Sequence, residues 1–325
     1  MDLTPYNSIY TIKPNGFPNF GNSCFFNSLL QCLLSCTSIF EVLIHNRNKD
    51  HIKNNVLAQN LIELYEANIA GDPLDDKCRA VWRSVINISK SRKDSIKIVP
   101  GMQHDAQEGL MLFLDVIDTI PELKRLFMHR HRIEVTCNEC KKKVVDKAED
   151  NMVFEVQPDL KMPQLEKFKN LDKYYNLSMP LNRFLRKQNG FIEGFRCTEC
   201  KSTLPKFKTT TLTMIPEILA VTVKKYYEKV LTPFPGKLEF ISKGRKKKFK
   251  YTLVAQSEHS GSMFGGHYWA IGLRKNDNKL EWKSLNDSNV SDGVPGTTPN
   301  TYLLFYHFTD IVDVTDNDLE EMTDS

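Results

Sequence analysis

The chain of 325 residues has no run approaching the roughly 18 uninterrupted apolar residues of a membrane span, so no membrane partner is expected. Its opening stretch, MDLTPYNSIYTIKPNG, lacks the apolar core of a signal peptide. A sustained basic excess is missing too: 44 basic against 40 acidic residues leave a formal charge of +4, which is no nucleic-acid footprint. There is neither an internal repeat nor a long low-complexity linker, which argues for lobes packed into one unit. A disulfide framework is also absent, because four of the eight cysteines stand in two Cys-x-x-Cys pairs and the rest are scattered. Together these absences predict a soluble, monomeric, intracellular protein of the cytoplasm or nucleus, without a nucleic-acid partner.

What is present suits a folded enzyme: 41% hydrophobic and 26% charged residues, in a chain long enough for two domains or one core with an inserted subdomain. Apolar positions recur at helical spacing from Cys24 (Phe25, Phe26, Leu29, Leu30, Leu33, Leu34), with Asn22 or Ser23 as the N-cap. A second helix is predicted from His104 (Ala106, Leu110, Phe113, Leu114, Ile117), stopped by Pro121, and a weaker one over about Val56 to Ala67. The polar stretch Asn87 to Ile98 reads as loop. After residue 125 the pattern changes to short β-type runs, among them Arg132 to Thr136, Ile218 to Val223 and Tyr251 to Ala255. An α+β fold follows, with an acidic tail from about Asp310 to Ser325 expected to be disordered.

A cysteine at a helix start gains thiolate character from the helix dipole and the free N–H groups there, and Cys24 has that placement. A lone cysteine on an apolar helix is more often structural, and Cys32 and Cys36 keep that reading. His267, in HSGSMFGGHYWAIGL, follows Gly265 and Gly266, which permit close approach of another backbone. A group that orients its imidazole is sought in LEWKSLNDSNV. In a hairpin turning at Asn276-Asp277, residues whose numbers sum to 553 lie opposite one another, which pairs His267 with Asn286 and turns Asp287 to the other face.

The stretch GFPNFGNSCFFNSLLQCL resembles the cysteine box of the ubiquitin-specific proteases, and HSG followed by GHYWA resembles their histidine box. The resemblance spans about residues 16 to 308, after an N-terminal extension of 15 residues. It implies a papain-like cysteine protease with a helical thumb (about 16–125) and β-rich palm and fingers (about 126–308). It implies Cys24 as nucleophile, His267 as base, Asn286 as the orienting group, and Asn19 as oxyanion donor, with Asp287 assisting or ordering its loop. The implied activity is hydrolysis after the C-terminal glycine of ubiquitin. A protease for another ubiquitin-like modifier and a silent ubiquitin-binding scaffold are the alternatives. GMQHDAQEGLMLFLD resembles the family motif whose acids contact the ubiquitin tail. Asp105 and Glu108, at i and i+3 of one helix face, are therefore candidate substrate contacts, with a solvated acidic face as the plainer reading. Gly265, Gly266 and Tyr268 would border the channel for that tail. Gly109 stands where the family commonly has an aromatic, a change expected to loosen this helix.

The pairs Cys137/Cys140 and Cys197/Cys200 supply four thiolates, the complement of a closed, structural zinc site, with disulfide or redox pairing as the alternative. The 56 residues between the pairs require the site to join two distant hairpins, as in the zinc-tied fingers of the resembled family. The basic run GRKKKFK, residues 244 to 250, reads as a solvated hairpin in preference to a nuclear signal.

Overall fold

The computed structural model describes residues 12–91, 97–156, 178–180, 190–224, 231–242, 245–262, 265–276 and 279–314. Seven helices come first among the described residues: α1 Cys24–Ser35, α2 Ser38–His45, α3 Asp50–Lys53, α4 Val56–Ala70, α5 Asp75–Ser91, α6 Ala106–Ile117 and α7 Pro121–Phe127. Strands follow: β1 His129–Cys137, β2 Lys143–Asn151, β3 Val153–Val156, β4 Ser178–Pro180, β5 Gly190–Ile192, β6 Lys206–Met214 and β7 Ile218–Val223. The last six are β8 Lys237–Ser242, β9 Lys247–Ser262, β10 Gly265–Asn276, β11 Lys279–Asn286, β12 Asn289–Asp292 and β13 Thr301–Asp313. The α+β fold is thus present, with a helical layer ahead of two sheets.

The nine-stranded sheet runs β12-β11-β10-β9-β13-β7-β3, with β8 on β9 and β4 on β8. A separate four-stranded sheet has the order β2-β1-β6-β5. Between the helical layer and the large sheet lies α1, every residue of which is buried. It is therefore a central helix and not the one-sided stripe that its spacing first offers. Each of its leucines, at 2% exposure or less, contributes on the order of 1.5–3 kcal/mol by leaving water. Its polar residues are buried too, and each finds a partner. Gln31 donates to Asn15 O at 2.8 Å, and Ser28 Oγ lies 3.1 Å from Ser257 of β9. Arg274, 1% exposed on β10, donates to Ser35 Oγ, Gln31 O and Gln31 Oε1. These bonds fix α1 against β10, the strand that carries His267.

Local expectations and structure differ in three places. Residues 87–91 complete α5 instead of opening a loop: Val81, Trp82, Val85, Ile86 and Ser89 bury one face, while Lys90 and Ser91 stay exposed. Pro121 does not merely stop a helix; it starts α7 at a position where its missing N–H costs nothing. Strand β13 continues through Asp310–Asp313, paired with Lys250–Lys247 of β9, so four residues of the expected acidic tail are part of the sheet; 315–325 lie outside the described residues. The basic run does lie in a hairpin, as expected: Lys247–Lys250 pair antiparallel with Ser242–Glu239 of β8, and Lys247 and Lys250, partly exposed, also reach Asp313 at 2.5 Å and Asp310 at 3.3 Å. The first eleven residues of the expected extension are likewise outside the described residues, while Ile12 is buried and Lys13 N donates to Asn68 Oδ1.

Candidate active site and cysteine cluster

Cys24 opens α1 on the helical side, and the strand ends of β10 and β11 face it across the junction with the sheet. The thiol is 4% exposed and receives a hydrogen bond from the Tyr268 N–H, the backbone group next to His267. Burial raises the Cys24 pKa; the Tyr268, Phe25 and Cys24 N–H groups oppose the shift, and the Asp287 carboxylate adds to it. Burial thus works against the thiolate that the N–H groups at the helix start favour. Ser23 is the N-cap, but its hydroxyl accepts from Phe20 N at 2.9 Å instead of capping α1.

His267 Nε2 lies 2.6 Å from Asn286 Oδ1. An amide oxygen accepts, so Nε2 carries the proton and Nδ1 is left with its lone pair. The route to this contact differs from the hairpin arithmetic. Ala270 pairs with Leu285 and Asn276 with Lys279, so paired numbers sum to 555. The ladder is two residues out from the sequence expectation, and Asp277 of the expected turn lies outside the described residues. A slip of two keeps every side chain on its face, where a slip of one would have reversed them all. His267 and Asn286 are diagonal neighbours on one face, and their side chains close the gap.

Asp287 sits just beyond β11 with φ +49°, in the left-handed region. Its carboxylate accepts from Asn19 Nδ2 at 2.9 Å through Oδ2 and from Asn27 Nδ2 at 2.7 Å through Oδ1. Its own carbonyl accepts from Phe17 N at 2.7 Å. Asp287 thus orders the loop before Cys24. Asn19 is held at both ends, because its Oδ1 accepts from Ser23 N at 3.2 Å. One amide hydrogen goes to Asp287, leaving the second for another acceptor. Gly16 passes so close to this turn that a Cβ there would stand 2.7 Å from Asp287 O and clash with the Ser288 carbonyl.

The proposed substrate contacts divide. Asp105 is not within a helix face: it is the N-cap of α6, its Oδ1 accepting from Gln107 N at 2.6 Å and its Oδ2 from Tyr302 OH. Glu108, in the first turn, is half-buried, 3.8 Å from His104. Tyr268 is buried, its ring stacked on His259 with centroids 4.2 Å apart and edge-on to Tyr302. Gly266 lies against His259 and the Ser260 carbonyl with no room for a Cβ, and Gly265 lies next to Gln103. Gly109 lies where α6 packs against α1. A Cβ there would meet Leu29 at 3.3 Å and Phe25 at 3.5 Å, so the missing aromatic lets α6 close onto α1. Nothing local in the sequence marks Gln103, and Asn27 is marked only as an asparagine inside an apolar helix.

At the far end of the four-stranded sheet, Cys137, Cys140, Cys197 and Cys200 bring their sulfurs within 4.8 Å of one another. Cys137 Sγ lies 3.7 Å from Cys200 Sγ, and Cys140 Sγ 3.6 Å from Cys197 Sγ. Four sulfurs at about 2.3 Å from a tetrahedral ion would stand about 3.8 Å apart, so the cluster fits a metal and is too open for disulfides. The two loops are built alike. Lys141 and Lys201 both have φ +60°, and their N–H groups bond to Cys137 O and Cys197 O. Backbone N–H groups turned onto the sulfurs lower the pKa of Cys137, and that of Cys197 to about 6. These four cysteines can hold a metal ion.

Comparison with known proteins places this geometry. The family model described as ubiquitin carboxyl-terminal hydrolase matches residues 15–306. The chain is 25% identical to ubiquitin carboxyl-terminal hydrolase 4 of Vanderwaltozyma polyspora, over 90% of this chain and 41% of that protein. It is 24% identical to ubiquitin carboxyl-terminal hydrolase 2 of Homo sapiens, over 90% of this chain and 54% of that protein. It thus spans about half the length of these relatives. Among solved structures it is similar to the SAGA DUB module Ubp8/Sgf11/Sus1/Sgf73 bound to monoubiquitin, with TM-score 0.69 and 18% identity over 96% of this chain and 72% of that one. With a family model spanning nearly the whole described fold, the chain belongs to the ubiquitin carboxyl-terminal hydrolase family.

Proposed function

We propose that this chain is a thiol-dependent deubiquitinase that hydrolyses peptide or isopeptide bonds after the C-terminal glycine of ubiquitin. The observation that carries the reading is the pairing of His267 Nε2 with Asn286 Oδ1 at 2.6 Å, beside a Cys24 thiol that receives the neighbouring Tyr268 N–H. Asn286 holds the imidazole in the tautomer whose Nδ1 is basic. Nδ1 takes the thiol proton as Cys24 attacks the carbonyl, and returns it to the leaving amine. The free amide hydrogen of Asn19 and the N–H groups at the start of α1 stabilise the oxyanion. The resulting thioester is hydrolysed by water, activated by the same Nδ1. Asp287 acts one step back, by holding Asn19.

Cys137, Cys140, Cys197 and Cys200 hold a zinc ion in this reading. With four protein ligands it has no open position, and when bound it ties the ends of β1 and β6 together without entering the chemistry.

The test is release of a fluorophore from the ubiquitin C-terminus. Wild-type protein should turn the substrate over and Cys24→Ala should not; equal rates would refute the assignment. Labelling with C-terminal electrophiles of ubiquitin and of other ubiquitin-like modifiers decides substrate. Ubiquitin alone should label Cys24, and labelling by another modifier alone would move the assignment to that modifier.

A further inference from the structure

Strand β10 has a gap in its pairing where the chemistry lies. It pairs with β9 from Gly265 onward, but with β11 only from Ala270, so on that second edge no strand among the described residues pairs with residues 265–269. Backbone groups of alternate residues face the same edge of a strand. At Tyr268 that edge is used by the N–H that reaches Cys24. At Gly266, two residues earlier, it is closed by one side chain. Gln103 Oε1 accepts from Gly266 N at 2.9 Å, and Gln103 Nε2 donates to Gly266 O at 3.0 Å. The amide of Gln103 thus stands in for the absent rung of a β-ladder.

The loop carrying Gln103 is itself anchored to the nucleophile's side of the site. Asn22, two residues before Cys24, donates to Gly101 O at 2.7 Å. Val99 N donates to His104 Nε2 at 2.9 Å, and Asp105 caps α6. Loop 99–105 therefore joins the segment before Cys24 to the segment before His267. No other hydrogen bond among those described holds the backbone of Gly266 on this edge.

On the functional reading above, we infer that Gln103 is a positioning residue for this reaction. By clamping Gly266 it sets the position of His267 and the aim of the Tyr268 N–H at Cys24. It acts through the backbone and not on the substrate.

The test uses Gln103→Glu, which keeps the shape but loses the donor, and Gln103→Ala, in the full chain. When ionised, the introduced carboxylate repels Gly266 O; when protonated, it donates again. With ubiquitin bearing a C-terminal fluorophore, kcat of Gln103→Glu should fall about tenfold at neutral pH with KM nearly unchanged, since small misplacements of catalytic groups cost one to two orders of magnitude. Its ratio to wild type should recover as pH falls toward about 5, where a carboxyl begins to protonate. Gln103→Ala should show the same loss with no recovery. A rise in KM alone would make Gln103 a substrate contact, and a loss independent of pH in Gln103→Glu, or no loss, would equally overturn the inference. If Gln103→Ala does not fold, Gln103→Glu decides alone. Alkylation of Cys24 by chloroacetamide, followed by peptide mass, separates this from failure of the functional reading. Wild type without ubiquitin turnover would refute that reading, while slower alkylation in Gln103→Glu at neutral pH, recovering relative to wild type in acid, would still support the clamp, and an unchanged rate would refute it.

Discussion

Asp287→Asn changes one atom and should move two observables in opposite directions. The carboxylate accepts two amide donors, Asn19 at 2.9 Å and Asn27 at 2.7 Å. An amide in its place has one oxygen, so one of the two donors must face an NH₂ group. Asn27 is 4% exposed and would lose a buried, charge-assisted bond; Asn19 can turn to water. The oxygen should therefore stay with Asn27, since leaving a buried donor unpaired costs about 1–3 kcal/mol. Asn19 is then released from its aim. Complete removal of an oxyanion donor costs about 10²–10³ in kcat, and a donor still tethered at Ser23 should lose less, about 10- to 100-fold. Meanwhile the negative charge that helps hold the Cys24 pKa up is gone, so the thiol should ionise more readily. The assay pairs kcat on ubiquitin carrying a C-terminal fluorophore with the pH dependence of Cys24 alkylation. Turnover should fall while alkylation shifts to lower pH. Asn19→Ala combined with Asp287→Asn should be no slower than Asn19→Ala alone, because the acid works through the amide. Independent multiplication of the two losses, or turnover and alkylation falling together, would refute the reasoning.

Removing the metal by strong chelation, or Cys197→Ser, should release about one zinc per chain by elemental analysis and lower the melting temperature by several degrees; a zinc-free protein with unchanged melting would remove the metal from the fold. Two buried histidines predict acid lability. His129, stacked on Phe154 at 3.7 Å, is brought down to about 3 by burial and the neighbouring His131, and His307 to about 4 by burial. Both fold neutral and unfold to a pKa near 6.5, so the stability they supply is present above that value and lost as pH falls toward the folded values. Between pH 7 and 5 this amounts to about 2 kcal/mol for each group, read as a shift in urea midpoint, and a midpoint that does not move would contradict their burial as neutral rings. Gly16→Ala should cost about 1–3 kcal/mol and slow turnover, because its Cβ strikes the backbone turn that carries Asp287; full activity and stability would show that the turn can yield.

Much of the site was legible in local sequence because helix starts, helical stripes and Cys-x-x-Cys spacings are properties of contiguous residues. The stripe behind Cys24 marks α1, and the two cysteine pairs mark the four-cysteine cluster before any fold is known. The face shared by His267 and Asn286 was also accessible, since strand parity survives an error of two in register. Asn87 to Ser91 failed because the apolar face of α5 begins well upstream, and polar residues at its end hid its continuation. Only tertiary structure could decide the rest. Asp287 meets Asn19 and Asn27 across about 260 residues of chain, and Gln103 meets Gly266 across 163. No periodicity encodes such pairs; they exist because α1, buried on every side and bolted to β10 by Arg274, brings three distant loops together. The ionisation of Cys24 belongs with them. Sequence placed it at a helix start, where thiolate is favoured, and packing buried it deeply enough that desolvation wins.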